Sequence, residues 1–187
     1  MTDPNKNIDA VFEGRGVKGS ALVGAVAKTE ELGYTFENLA GTSAGAIVAA
    51  LLAAGYSAKE LGEFIQELDY RKFKDPTMLT MIPFGGQTLS LFINKGIYRG
   101  DYLENWLRNL LFAKNIRTFK DLIIPKYQNY IRYRYKLQVI ASDISKGRLL
   151  VLPRDIAEYG INPDDLDVAT AVRMSMSIPY FCRVFSK

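Results

Sequence analysis

Ile8 to Phe12 (IDAVF) is a short, mostly apolar run and reads as a short buried strand. Glycines follow at Gly14, Gly16 and Gly19, and a helical stretch then extends from Ser20 to Leu32. Gly33 stands where a left-handed helix C-cap belongs. Phe36 to Ala40 predicts a second strand. The turn Gly41 to Gly45 leads into an Ala/Leu/Val helix from Ala44 to Ala54, closed by Gly55. Ser57 and Glu60, in S-A-K-E, form a capping box that opens a third helix reaching about Leu68. Strand, turn and helix, twice over, predict an α/β domain with a parallel sheet.

Beyond this the pattern is less regular. Asp75 to Gly100 holds Pro76, Pro83, Gly85-Gly86 and the apolar cluster Met78 to Phe84, and reads as a long excursion. Asp101 with Glu104 caps a further helix through Trp106 and Leu110. Tyr133 to Ala141 alternates and then turns apolar, as a strand entering a core does, with Arg148 to Leu152 as its partner. Val168 to Met176 is helical, and Tyr180 to Phe185 begins another strand, with Cys182 in it as a small buried residue.

The chain has 187 residues, 48% of them hydrophobic, enough for one domain with a sizeable core. A net charge of +4 is too small to imply a nucleic-acid partner, and none is expected. No signal peptide or membrane-spanning run is visible, and the single cysteine suits a reducing compartment, so a cytoplasmic protein is expected. The decisive count is that of histidine, which is zero. It excludes a Ser-His-Asp triad, a Cys-His dyad and a His-ligated zinc site made by this chain alone.

Two turns carry chemistry. Gly41-Thr42-Ser43-Ala44-Gly45 is a G-x-S-x-G between a strand and a helix. Such a turn exposes a serine hydroxyl above a helix N-terminus, whose partial positive charge favours a developing alkoxide. Small residues around it, Gly41, Thr42, Ala44 and Gly45, let the backbone turn sharply. The second turn, Gly14-Arg15-Gly16-Val17-Lys18-Gly19, is a G-x-G-x-x-G that admits two functions. It can cradle a dinucleotide pyrophosphate, or its backbone N–H groups can form an oxyanion hole. A dinucleotide site needs an acid at the end of the second strand. Glu37 starts that strand, and the serine turn ends it, which favours a hydrolase. With no imidazole, Ser43 needs a carboxylate or lysine base. A carboxyl group has an ordinary pKa of about 4 and must be raised by burial to serve.

These two turns, together with Ser175-Met176-Ser177-Ile178-Pro179-Tyr180-Phe181, resemble the patatin-like phospholipases. The resemblance implies a three-layer α/β/α sandwich with a mainly parallel central sheet. It implies hydrolysis of lipid acyl esters of the phospholipase A or lysophospholipase type by a Ser-Asp dyad, with no cofactor and no metal. Ser43 is the implied nucleophile, and Gly14, Arg15, Gly16, Val17, Lys18 and Gly19 the implied oxyanion loop. That loop is usually a triple glycine before x-[Arg/Lys]-Gly, and here Arg15 replaces the middle glycine. The family's aspartate lies in Asp-Gly-Gly or Asp-Gly-Ala, and no Asp-Gly dipeptide occurs in this sequence. Residues 1–187 are therefore expected to be one domain that is the N-terminal portion of a longer protein, inactive by itself. Asp143 is the best substitute base within the chain, although it more resembles a turn acid. The implied partner is a phospholipid or another acyl ester, with transient contact at a membrane surface. Lys126 to Lys136 mixes four basic residues with four tyrosines, a pattern suited to anionic headgroups or to a plain solvated edge. The alternatives are a dinucleotide-binding protein and a non-catalytic lipid-binding domain on the same scaffold.

Overall fold

A computed structural model describes residues 6–14, 19–67 and 103–176. Strand β1 (Asn7–Phe12) leads to helix α1 (Gly19–Glu31), then β2 (Thr35–Thr42), α2 (Ala44–Ala53) and α3 (Ala58–Glu67). Helix α4 covers 103–113. Strands β3 (Leu137–Asp143) and β4 (Arg148–Leu152) follow, and α5 (Val168–Met176) comes last. The sheet order is β1-β2-β3-β4, with the first three strands parallel and β4 antiparallel to β3. The α/β class and mainly parallel sheet expected from the sequence are what the chain adopts.

Local sequence explains where the elements stop. Gly33 and Gly55 adopt φ of 79° and 91° just past α1 and α2, a conformation that costs glycine little. Ser57 and Glu60 make their reciprocal cap: the Ser57 N–H donates to the Glu60 carboxylate at 2.7 Å, and the Glu60 N–H to Ser57 Oγ at 3.3 Å. Helix α2 is buried nearly all round, which its run of Ala, Val and Leu permits. It packs on β1, β2 and β3, and α5 packs on α2 and β3. Leu39, Leu51, Val139, Leu152, Val168 and Val172 are among the side chains closed off in this core. Each contributes roughly 2 kcal/mol of apolar burial.

Strand β3 is shorter at its start than the alternation from Tyr133 predicts. Tyr135 makes only an isolated bridge, to Ile123. Its hydroxyl donates to Asp164 at 2.5 Å, and Arg134 binds the same carboxylate. The alternating side chains there hold the 3-10 turn Pro163–Asp165 instead of extending the sheet. The expected excursion at Asp75 to Gly100, the Met78 to Phe84 cluster, Asp101 and the Tyr180 to Phe185 strand lie outside the described residues.

Candidate functional site

The parallel strands deliver both glycine turns to one end of the sheet. Phe12, the last residue of β1, stands beside Gly41 in β2, and Thr42, the last of β2, stands beside Ile140 in β3. Ser43 fills the single step between β2 and α2. Its backbone takes φ 52° and ψ −127°, a region that costs a non-glycine residue about 1–3 kcal/mol. Such strain persists only where the surroundings over-determine it.

Three glycines provide that determination by letting backbones touch. A Cβ on Gly45 would lie 2.3 Å from the Phe12 carbonyl oxygen, and one on Gly41 would lie 2.5 Å from the Gly45 oxygen. The first turn of α2 is thereby pressed onto the ends of β1 and β2. A Cβ on Gly14 would lie 2.6 Å from Ser43 Cβ and 2.9 Å from the Thr42 oxygen. The start of the glycine-rich loop therefore abuts the serine itself. Gly19 opens α1, and Arg15, Gly16, Val17 and Lys18 lie outside the described residues.

Ser43 is half-buried and makes no side-chain cap on α2. Among the described residues no hydrogen bond engages its Oγ. The Ala46 N–H donates to the Ser43 carbonyl at 2.9 Å, helix geometry leaves the N–H groups before it without intrahelical acceptors, and the first turn carries no acidic residue. The positive end of the helix is thus not neutralised from within. The Ser43 N–H points elsewhere: it donates to Ser175 Oγ at 2.8 Å, and that hydroxyl donates to the Ile140 carbonyl at 2.5 Å. Ser175 was visible in the sequence as the first residue of the S-M-S-I-P segment, but its contact with the elbow was not.

Asp143 closes β3 at this same end. One carboxylate oxygen accepts from the Ser145 and Lys146 N–H groups at 2.9 and 3.0 Å, and the other accepts from the Tyr159 hydroxyl. The Tyr159 hydrogen bond, with the backbone donors helping and burial opposing, holds this carboxyl below the usual range. A general base for a serine needs the opposite shift. Asp143 is a turn acid of the β3–β4 connection.

Glu37, the residue weighed as a ribose-binding acid, lies in the first half of β2 and pairs with Lys126. A polar cleft of about 250 Å³ sits there, lined by Asn7, Asp9, Glu37, Asn38, Tyr127 and Tyr133. That cleft is at the end of the sheet opposite Ser43. The basic and aromatic segment from Lys126 to Lys136 is at that end too, since it immediately precedes β3. Among the described residues no cluster of three carboxylates or thiols is arranged to hold a metal ion, and no helix is long and apolar enough to cross a membrane.

The sequence model of the family described as "Patatin-like phospholipase" matches residues 10–186. The chain belongs to the patatin-like phospholipase family. Among relatives, the uncharacterized protein YqhO of Bacillus subtilis (strain 168) is 47% identical over 174 residues. That match covers 93% of this chain and 56% of YqhO, so the chain spans little more than half of that relative's length. Among solved structures, a chain of the complex of SpcU with ExoU from the type III secretion system of Pseudomonas aeruginosa superposes with a TM-score of 0.61 at 24% identity. The match covers 93% of this chain and 39% of that one. VipD from Legionella pneumophila gives a TM-score of 0.54 at 17% identity, over 95% of this chain and 43% of VipD. Likeness at this level of identity speaks for the patatin-like α/β fold.

Proposed function

We propose that this chain carries the nucleophile and oxyanion loop of a lipid acyl hydrolase that cleaves phospholipid or lysophospholipid esters. The supporting observation is the contact between the two glycine turns: Gly14 lies against Ser43 while Ser43 holds a left-handed φ above an uncapped helix N-terminus. Ser43 Oγ attacks the ester carbonyl and passes its proton to a carboxylate base. Backbone N–H groups of the Gly14 to Gly19 loop hold the oxyanion. The alkoxide leaving group departs with that proton, and an acyl-serine remains. Water then attacks the acyl-serine, the same carboxylate takes the water's proton, and Ser43 regains its hydrogen as the fatty acid leaves.

The base in this proposal is an aspartate outside residues 1–187. Three observations favour that origin: Ser43 Oγ has no partner among the described residues, both oxygens of Asp143 are engaged, and the sequence holds no Asp-Gly. Residues 1–187 then form one domain that hydrolyses little by itself. Contact with a membrane surface is transient and brings lipid to the Ser43 end of the sheet.

The test is fluorophosphonate labelling of the full-length protein, with the modified peptide located by mass spectrometry. Labelling at Ser43, lost in Ser43→Ala together with a fall in ester turnover of at least about 1,000-fold, is the expected result. Full-length protein that is folded yet never labelled at Ser43 overturns the proposal.

A further inference from the structure

Ser175 Oγ occupies a position that a regular sheet has no room for. Thr42 and Ile140 are the last paired residues of β2 and β3. If the parallel ladder continued, the next bond would join the Ser43 N–H directly to the Ile140 carbonyl. Instead the Ser175 hydroxyl stands between those two groups, accepting from the first at 2.8 Å and donating to the second at 2.5 Å. A serine hydroxyl has one proton to give and lone pairs to accept, so this single side chain satisfies both ends of the missing bond.

The element that presents Ser175 is firmly held. Thr170 donates its N–H to Asp167 at 2.9 Å at the start of α5, and Thr170 Oγ1 donates to Glu104 at 2.9 Å. Arg173 donates to the other Glu104 oxygen at 2.5 Å, tying α5 to α4. Val168 and Val172, on the same face of α5 as Ser175, are closed off in the core. The hydroxyl is thus inserted by a braced helix, and β2 parts from β3 at the residue where the elbow begins.

From this we infer that Ser175 is a positioning residue for Ser43: its hydroxyl wedges the end of the β2–β3 ladder open and holds the elbow in its left-handed conformation. The inference rests on the reading of Ser43 as the nucleophile. Removing the hydroxyl leaves the Ser43 N–H free to drop onto the Ile140 carbonyl and extend the ladder by one bond. That relaxation restores hydrogen bonding while drawing Ser43 out of the elbow. Reactivity is therefore lost out of proportion to stability. A displacement of about 1 Å in a reacting group can cost roughly 100-fold in rate.

The experiment uses the full-length protein and compares wild type with Ser175→Ala, Ser175→Thr and Val172→Ala. The last variant removes buried methyl groups one turn before Ser175 on the same helix and leaves both hydrogen bonds of the Ser175 hydroxyl in place. Readouts are the rate of fluorophosphonate labelling at Ser43, kcat and KM on a phospholipid ester, and melting temperature. Ser175→Ala is expected to lower the labelling rate and kcat together by about 10- to 100-fold, with KM within about threefold. Its melting temperature falls less than that of Val172→Ala, which labels at the wild-type rate per folded molecule. Ser175→Thr keeps a hydroxyl and recovers labelling to within about fivefold of wild type. If the alanine protein does not fold, Ser175→Cys, with its weak S–H donor, carries the same expected loss. Labelling within twofold of wild type in the alanine or cysteine variant overturns the inference. So does an equal slowing in Val172→Ala, or a threonine variant as slow as alanine. Wild-type protein never labelled at Ser43 overturns the nucleophile reading and this inference with it. A wild type that labels at a rate indifferent to residue 175 overturns this inference alone.

Discussion

The two ends of the sheet are built on opposite principles. At the end holding Ser43 the important contacts are between backbones, and the residues making them are glycines. At the other end the contacts are between side chains: Glu37 with Lys126, and Asp9 with the Asn38 side chain and N–H at 2.9 and 3.1 Å. The charged end keeps a buried acceptor, Asn38 Oδ1, without a hydrogen-bond partner beside its ion pair, while the glycine end leaves the Ser43 hydroxyl without one among the described residues and carries it on a strained backbone. Unspent hydrogen-bonding capacity held in a strained backbone is what a nucleophile needs, and matched charges are what a solvated edge needs. The cleft of about 250 Å³ belongs to the second kind of surface, so shape alone points away from the end proposed for the chemistry.

The contrast is most exposed at Gly45. The carbonyl oxygens of Phe12 and Glu13 that a new Cβ would meet, at 2.3 and 2.8 Å, are backbone atoms and cannot rotate away. Gly45→Ala is expected to cost more than about 3 kcal/mol and to abolish Ser43 labelling. The control is Gly24→Ala in α1, where an added Cβ meets nothing within 4 Å. That variant is expected to gain about 0.5–1 kcal/mol from helix propensity and to label normally. Chemical denaturation of both proteins checks the pair, and equal effects would refute the backbone-contact account of the elbow.

Next in size is the support behind α5. Burial pushes the Glu104 carboxyl up, but hydrogen bonds from Arg173, Arg108 and Thr170 outweigh it and leave the group below its ordinary value of 4.5. A carboxyl depressed in the folded protein contributes stability that is fully present above the ordinary value. That contribution fades as pH falls through 4.5 toward the folded value. Glu104→Gln is expected to lose about 2 kcal/mol near neutral pH, because Arg173 and Arg108 lose the carboxylate they share, while Arg108 keeps Asp167. It is also expected to flatten part of the decline in stability below pH 5. Denaturation curves at pH 7 and pH 4 measure both, and a variant that declines as steeply as wild type would remove Glu104 from the network.

How much of this was legible depends on sequence distance. Gly33, Gly55 and the Ser57–Glu60 cap act within a few residues, and the sequence showed all of them. The G-x-S-x-G and G-x-G-x-x-G turns were legible as separate loops. Their meeting at Gly14 and Ser43 became visible only once β1 and β2 paired in parallel. The Ser175 wedge spans 132 residues and depends on α5 being anchored by Glu104, a residue that reads locally as a helix cap. Tyr133 to Lys136 misled for the same reason: its alternation resembles a strand, while Tyr135 and Arg134 use it to reach Asp164.

The smallest effect is expected at the charged end. Glu37 is mostly covered, but its partner Lys126 is more than half exposed, so water screens the pair. Glu37→Gln keeps the shape of the side chain and removes the charge. Its melting temperature is expected to shift by about 2 °C or less. Its rate of Ser43 labelling is expected to stay within twofold of wild type, since the altered group and the elbow lie at opposite ends of β2. A dinucleotide-binding role for the glycine loop requires a different outcome, because there the acid of β2 contributes to ligand affinity. Titration of the same variant with NAD, followed by Trp106 fluorescence, separates the two. A wild-type signal that Glu37→Gln weakens would return the dinucleotide reading to first place. A flat titration in both proteins, beside unchanged labelling, would leave the Ser43 end of the sheet as the seat of the chemistry.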